Sequence, residues 1–249
     1  MRLDVAFLPE EAGDVTDAVC IVVDVLRATT VLATLFERGC PVAYVADEHG
    51  KAERFARDRG FVLCGESHGL KAPGFDYGNS PTEFAALDFS GRPAVLSTTN
   101  GTRAASMVSG ARRVYLGAAV NLTAVAQRAW REAMDTGSDL VVVCSGTNRR
   151  FTLEDTVVAG MFVEALTACA GAWEMPSVAD SAIAARRLWE QDGSLLRSWM
   201  EGAHAQKLSE MGFSDDVTFC ASRDLLRTVP ALLPEAGTED YPWPVVLVS

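Results

Sequence analysis

Hydrophobic residues along this chain gather in short unbroken runs, each followed by a polar turn and then by helical spacing. The runs Val19–Val23, Val42–Ala46, Phe61–Cys64, Ala94–Ser97, Val114–Leu116 and Leu140–Val143 are too short for core helices. They lack the alternation of a half-exposed strand, so they read as strands buried on both faces. Helices are expected between them. One runs from Thr29 or Thr30, as caps, through Glu37–Arg38 to Gly39, and another spans Lys51–Arg59 and closes at Gly60. Asn79 or Ser80 caps a helix that starts at Pro81, and a short helix of small residues follows position 102. Leu122–Ala133 and Leu153–Ala170 are the longer helices. The chain then reads as mostly helical to Leu233, with a strand-like V-T-F-C at 217–220 and a final edge strand at Pro242–Val248.

Strands alternating with helices predict an α/β fold, a three-layer α/β/α arrangement around a largely parallel or mixed sheet. Its extent is one domain over residues 1–249, or two α/β subdomains divided near 115–140. One stretch breaks the rhythm. Residues 64–81, C-G-E-S-H-G-L-K-A-P-G-F-D-Y-G-N-S-P, show no period yet carry Phe75, Tyr77 and two acids. A long loop with aromatic anchors inside a compact domain reads as ordered and functional.

The chemistry sits where strands end. In V-V-D-V-L-R-A-T-T, residues 22–30, a buried run delivers Asp24, Arg27, Thr29 and Thr30 to a strand-to-helix turn. Ligands in open α/β sheets bind beyond such carboxyl ends. T-T-N-G-T at 98–102 places Thr99, Asn100 and Thr102 around Gly101, where backbone can approach an anion. C-S-G-T-N-R-R at 144–150 spaces Cys144 and Arg150 as C-x5-R, with Gly146 inside the turn. Cysteine-dependent phosphatases use that spacing, with the thiolate as nucleophile. T-L-E-D at 152–155 fits a capping box of Thr152 with Asp155. It also places Glu154 and Asp155 as carboxylates for a divalent ion or a water. Glu66 and Asp76, with Asn79, supply hard oxygen donors from the long loop.

Composition narrows the partners. A net charge of −11 argues against nucleic acid and against an anionic membrane surface. An anionic substrate then needs local positive groups or a cation. The six cysteines, at 20, 40, 64, 144, 169 and 220, form no C-x-x-C pair and read as reduced and buried, in keeping with a cytoplasmic protein. No signal peptide is recognisable at the N-terminus, and no run approaches the ~20 apolar residues of a membrane helix.

Taken together, D-V-L-R-A-T-T at 24–30, G-F-D-Y-G-N-S-P at 74–81, T-T-N-G-T at 98–102, L-E-D at 153–155 before V-A-G-x-x-V-E, and D-V-x-x-C-A-x-x-D at 216–224 resemble one family, the 2-phosphosulfolactate phosphatases. The resemblance runs in order over roughly residues 3 to 230. It implies a Mg²⁺-dependent phosphatase that converts 2-phospho-3-sulfolactate to 3-sulfolactate, on the route to coenzyme M. It also implies that these loops meet at one site. Asp24 and Glu66, with Asp76 or Asp155, are the expected Mg²⁺ ligands. Arg27, Thr29, Thr30, Asn79, Ser80, Thr99, Asn100, Gly101, Thr102, Cys144 and Gly146 are expected around the substrate. A metal-activated water would attack phosphorus, with Glu154 or Asp155 as base. The expected partner is a small anionic phosphorylated substrate, and a homodimer is left open. Two departures stand out: the usual G-E-R-G-G reads G-E-S-H-G at 65–69, and a usual H-G reads H-A at 204–205. Ser67 thus replaces an arginine, and Arg103, Arg149 or Arg150 is left to meet a second anion. Two alternatives remain: a cysteine phosphatase built on Cys144 and Arg150, and an anion-binding relative without catalysis.

Overall fold

The computed structural model describes residues 1–170, 175–192, 194–233 and 243–248. Its strands are β1 (Arg2–Ala6), β2 (Ala18–Val23), β3 (Ala43–Ala46), β4 (Val62–Ser67), β5 (Leu70–Lys71), β6 (Ala94–Ser97), β7 (Arg113–Gly117), β8 (Asp139–Cys144), β9 (Ser177–Val178), β10 (Pro230–Leu233) and β11 (Val245–Val248). They form one mixed sheet in the order β5-β4-β6-β3-β11-β10-β7-β2-β8-β1-β9. All six strands read from the apolar runs are present. The helices are α1 (Ala28–Glu37), α2 (His49–Arg59), α3 (Pro81–Ala85), α4 (Asn100–Met107), α5 (Leu122–Thr136), α6 (Leu153–Cys169), α7 (Asp180–Asp192), α8 (Leu195–Glu201), α9 (Ala203–Glu210) and α10 (Ser214–Cys220).

β2 shows why the runs are unbroken. Val19, Ile21 and Val23 point into a core shared with α5 and α6, while Cys20 and Val22 point into a second core under α1 and α4. Period-two alternation buries both sets, and each such side chain contributes about 1.5–3 kcal/mol. This is the three-layer arrangement. A third cluster, around Phe55, Phe75 and Trp243, fixes α2 against β3, β4 and β6.

The sheet has two parallel blocks, β4-β6-β3 and β7-β2-β8-β1-β9, joined through the antiparallel strands β11 and β10. Three reversals between the blocks set their strands in opposite senses. A twist of roughly 20–25° per step accumulates to roughly 100–125° over the five steps from β6 to β2. That rotation would turn the strand ends of the two blocks toward each other.

Several expected elements differ. Residues 217–220 belong to α10: Val217 and Cys220, three apart, face the core, and Thr218 does not. β11 is interior, paired with β3 and β10, so 245–248 is no edge strand; Pro242 lies outside the described residues. The 64–81 stretch is ordered, as expected: β4 and β5 form a hairpin turning at His68–Gly69, and Phe75 and Tyr77 pack inward. α1 begins at Ala28, and Thr29 and Thr30 donate their hydroxyls backward, to the carbonyls of Asp24 and Val25. They do not cap its N–H groups.

Candidate active site

The turns after β2, β4, β6 and β8 converge, with α9, on a cleft of about 760 Å³. Two glycines make the convergence possible. A Cβ on Gly65 would lie 2.2 Å from the Ser97 carbonyl, and its φ of +154° is open mainly to glycine. A Cβ on Gly101 would lie 2.8 Å from Asp24 Oδ2, so α4 approaches Asp24 only because Gly101 has none.

Asp24, at the end of β2, lines the cleft and is buried. Its Oδ1 accepts the Ala28 N–H at 3.3 Å, and among the described residues it has no ion-pair partner. Burial pushes its pKa up to about 6, against the opposing pull of the Ala28 N–H, the His204 charge and the Ser145 hydroxyl, with a small further rise from Glu66. Glu66 lines the same cleft; its Oε2 accepts the Gly69 N–H at 2.6 Å and its Oε1 the Thr99 hydroxyl at 3.4 Å. Asn79, also lining the cleft, keeps its Oδ1 buried without a hydrogen-bond partner. Asp24, Glu66 and Asn79 Oδ1 are hard oxygen donors of the kind a divalent cation takes, one or two carboxylates with water and substrate completing its shell. No cage of three or more acidic, histidine or cysteine ligands exists among the described residues.

Arg27 is held differently. Its Nη1 donates to Asp216 at 2.6 Å, its Nη2 to the Gly69 carbonyl at 2.7 Å, and its guanidinium lies 4.3 Å over Phe213. Both side chains of the Arg27–Asp216 pair are 2% exposed. Asp216 is tied further to the hydroxyls of Ser80 and Thr82. Arg27 therefore reaches the cleft from a rigid mount.

Glu154 and His204 line the cleft as a pair. His204 Nδ1 lies 2.9 Å from Glu154 Oε1 and 3.4 Å from the Thr147 hydroxyl. Burial lowers the imidazole pKa, but the Glu154 hydrogen bond and charge, with Asp24 and Asp155 behind, outweigh it and raise the net value. Fully buried Trp199 on α8 and buried Leu208 on α9 dock this part of the cleft.

Residues 6–234 match the family model described as 2-phosphosulpholactate phosphatase. A protein of Pseudothermotoga lettingae, named probable 2-phosphosulfolactate phosphatase, is 36% identical over 96% of this chain and 100% of its own length. One of Deinococcus radiodurans, named likewise, is 38% identical over 94% of each chain. The chain belongs to the 2-phosphosulfolactate phosphatase family. That is a family of phosphoric monoester hydrolases.

The candidates read from sequence divide around this cleft. Asp24, Arg27, Glu66, Asn79, Thr99, Asn100 and Glu154 line the cleft. Asp155 stands behind it: its carboxylate accepts from the Val25 and Gly146 N–H groups and the Ser145 and Thr152 hydroxyls, fastening the 24–26 turn to the 145–146 turn. Burial and the Asp24 and Glu154 charges raise its pKa. Thr152 thus donates to the Asp155 carboxylate, and the expected capping box is absent. Asp76 is exposed outside the cleft and accepts the Leu63 N–H at 2.9 Å. Thr29 and Thr30 hold backbone carbonyls, Ser80 caps α3, and Thr102 bonds the Ala46 carbonyl. Gly146 supports the Asp155 turn. Cys144 is fully buried, with its thiol pKa raised well above the usual range, first by burial and then by Asp155. A neutral, inaccessible thiol is no nucleophile.

Sequence reasoning assigned no role to His204, Lys207, Asp216 or Ser145. His204 and Lys207 stand three apart on α9, both lining the cleft, but their spacing matched no known motif.

Proposed function

We propose that this chain hydrolyses the phosphate ester of 2-phospho-3-sulfolactate, or of a closely related phosphorylated 2-hydroxy acid, with Mg²⁺ held by Asp24 and Glu66 and by the Asn79 carbonyl oxygen. The relatives' names support the substrate class. The observation that carries the reading is Asp24: a buried carboxylate at a strand end, beside a second acid and without an ion-pair partner among the described residues. Such a group needs a cation, and an acidic chain needs one to receive a phosphate dianion.

Bound there, Mg²⁺ supplies charge neutralisation at the phosphoryl oxygens and a lowered pKa for water. Phosphoryl transfer asks mainly for positioning and electrostatic stabilisation. Arg27 offers guanidinium N–H groups from its fixed mount, and Thr98, Thr99 and Asn100 offer neutral polar groups from the β6–α4 turn. His204, as imidazolium, directs Nδ1–H to Glu154 Oε1, which leaves Nε2–H to protonate the departing alkoxide oxygen. Glu154 sets the charge and the orientation of that ring. Leu208, Met211 and Phe151 line the same cleft and give it apolar surface beside the ester.

Purified protein incubated with 2-phospho-3-sulfolactate is expected to release phosphate with Mg²⁺ and to stop with EDTA. Equal release under both conditions would remove the metal from the account; no release from any phosphorylated 2-hydroxy acid would remove the reaction.

A further inference from the structure

Beside the main cleft lies a smaller pocket of about 290 Å³, lined by Thr99, Asn100, Arg103, Asn148 and Arg149. Thr99, Asn100 and Asn148 also line the main cleft, so the two spaces adjoin. Their chemistry differs. The large space mixes acids, Asp24, Glu66 and Glu154, with Arg27, His204 and Lys207, and no acid lines the small one. Arg103 is positioned by Glu10, which pairs with its Nη1. Its Nη2 is buried and has no hydrogen-bond partner. Buried polar atoms without partners are exceptions in native folds and ask for an explanation. Arg149, the pocket's second guanidinium, has no ion-pair partner among the described residues. Two guanidiniums against the single Glu10 carboxylate leave a net positive pocket.

We propose that this pocket binds the second strong anion of the substrate, a sulfonate, between Arg103 and Arg149. The inference rests on the phosphohydrolase reading, because it assumes that the phosphate occupies the adjoining cleft. Its chemistry follows from the donors: a sulfonate presents three acceptor oxygens, and guanidiniums bind tetrahedral oxyanions through paired N–H groups. The Asn148 and Asn100 amides and the Thr99 hydroxyl flank the same space. Only the large space offers carboxylates for a cation, so the phosphate is placed there and the sulfonate in the pocket whose charged groups are guanidiniums alone. Ser67 bears no charge, and Lys207, on α9, is a rival cation without an ion-pair partner among the described residues.

The test is titration calorimetry of 3-sulfolactate and of lactate, its counterpart without the sulfonate, against wild type, Arg103→Met, Arg149→Met and Lys207→Met. Wild type is expected to prefer 3-sulfolactate by tenfold or more. Each arginine variant is expected to lose about tenfold to a hundredfold in 3-sulfolactate affinity, the usual effect of one charged hydrogen-bonding group, with lactate unchanged. Lys207→Met is expected to keep the preference. Arg149→Met carries the test if Arg103→Met, which abandons Glu10, fails to fold. A wild type without preference, arginine variants that retain it, or its loss in Lys207→Met would each overturn the proposal. Binding is read without turnover. A protein that hydrolyses no ester but shows the arginine-dependent preference refutes the function proposed above and leaves this inference standing.

Discussion

Two buried charges face the same cleft and are treated in opposite ways. Arg27 has a carboxylate, a carbonyl and an aromatic face as partners, and its carboxylate is itself fastened by two hydroxyls. Asp24 has a long N–H contact, the Ser145 hydroxyl and the charge of His204 nearby, but forms no ion pair among the described residues, and its pKa stays raised by burial. Asp155, next to it, differs again: four donors satisfy it, and it acts as a staple. A group finished by the protein contributes rigidity. A group left unfinished contributes a binding site, at a cost in stability that a ligand can offset.

The largest expected effects lie at the Glu154–His204 pair. His204→Gln should lower kcat by about 10²–10⁴-fold, the range for loss of a general acid, with a smaller change in KM. Glu154→Gln should shift the alkaline limb of the pH–rate profile to lower pH, because it removes the group that raises His204. An unmoved limb would detach Glu154 from the proton donor.

Next comes the finished pair. Asp216→Ala strands the Arg27 charge in a buried site and should cost about 3–5 kcal/mol, read by urea unfolding. A loss under 1 kcal/mol would mean that Arg27 does not depend on its mount.

The unfinished group predicts a gain. With Asp24 and Asp155 raised, the fold binds protons more tightly than the unfolded chain between the ordinary carboxylate range and their folded values. Stability of the EDTA-treated protein should therefore fall as pH rises from 3.8, the ordinary aspartate value, through about 6 for Asp24, and Asp24→Asn should flatten that part of the fall. Asp24→Asn should also raise the Tm of the metal-free protein at pH 8, by roughly 2–4 °C for each kcal/mol recovered. A lower Tm would show that the carboxylate is satisfied by the protein after all.

Cys144→Ala is the smallest. It should leave activity within about threefold of wild type, since a neutral buried thiol takes no part in phosphoryl transfer. Abolished turnover in a folded variant would revive the cysteine mechanism.

How much of this could be read beforehand depended on how local each cause was. The six strands were legible because each is buried on both faces, and that burial writes an unbroken apolar run. β1 was not, because Asp4 interrupts it; Ser181, 177 residues away, bonds that carboxylate. The segment 217–220 misled because its four residues fit a strand period and a helical one alike. Asp24 and Glu66 were legible as polar groups ending strands or opening loops. Asp216 and His204 stood in motif positions of the resemblance, but their roles did not show: those exist only once α10 meets Arg27, 189 positions away, and α9 meets Glu154. Asp76 and Asp155 looked like ligands for the same reason in reverse. No local pattern distinguishes an acid aimed at a cleft from one that accepts backbone N–H groups.

The central claim, that Asp24 is left for a cation, is tested most directly by Mg²⁺ titration calorimetry on wild type and Asp24→Asn at pH 8. Saturable binding to wild type, lost in a folded Asp24→Asn protein, is the predicted result. Equal binding to both, or none to either, would contradict it.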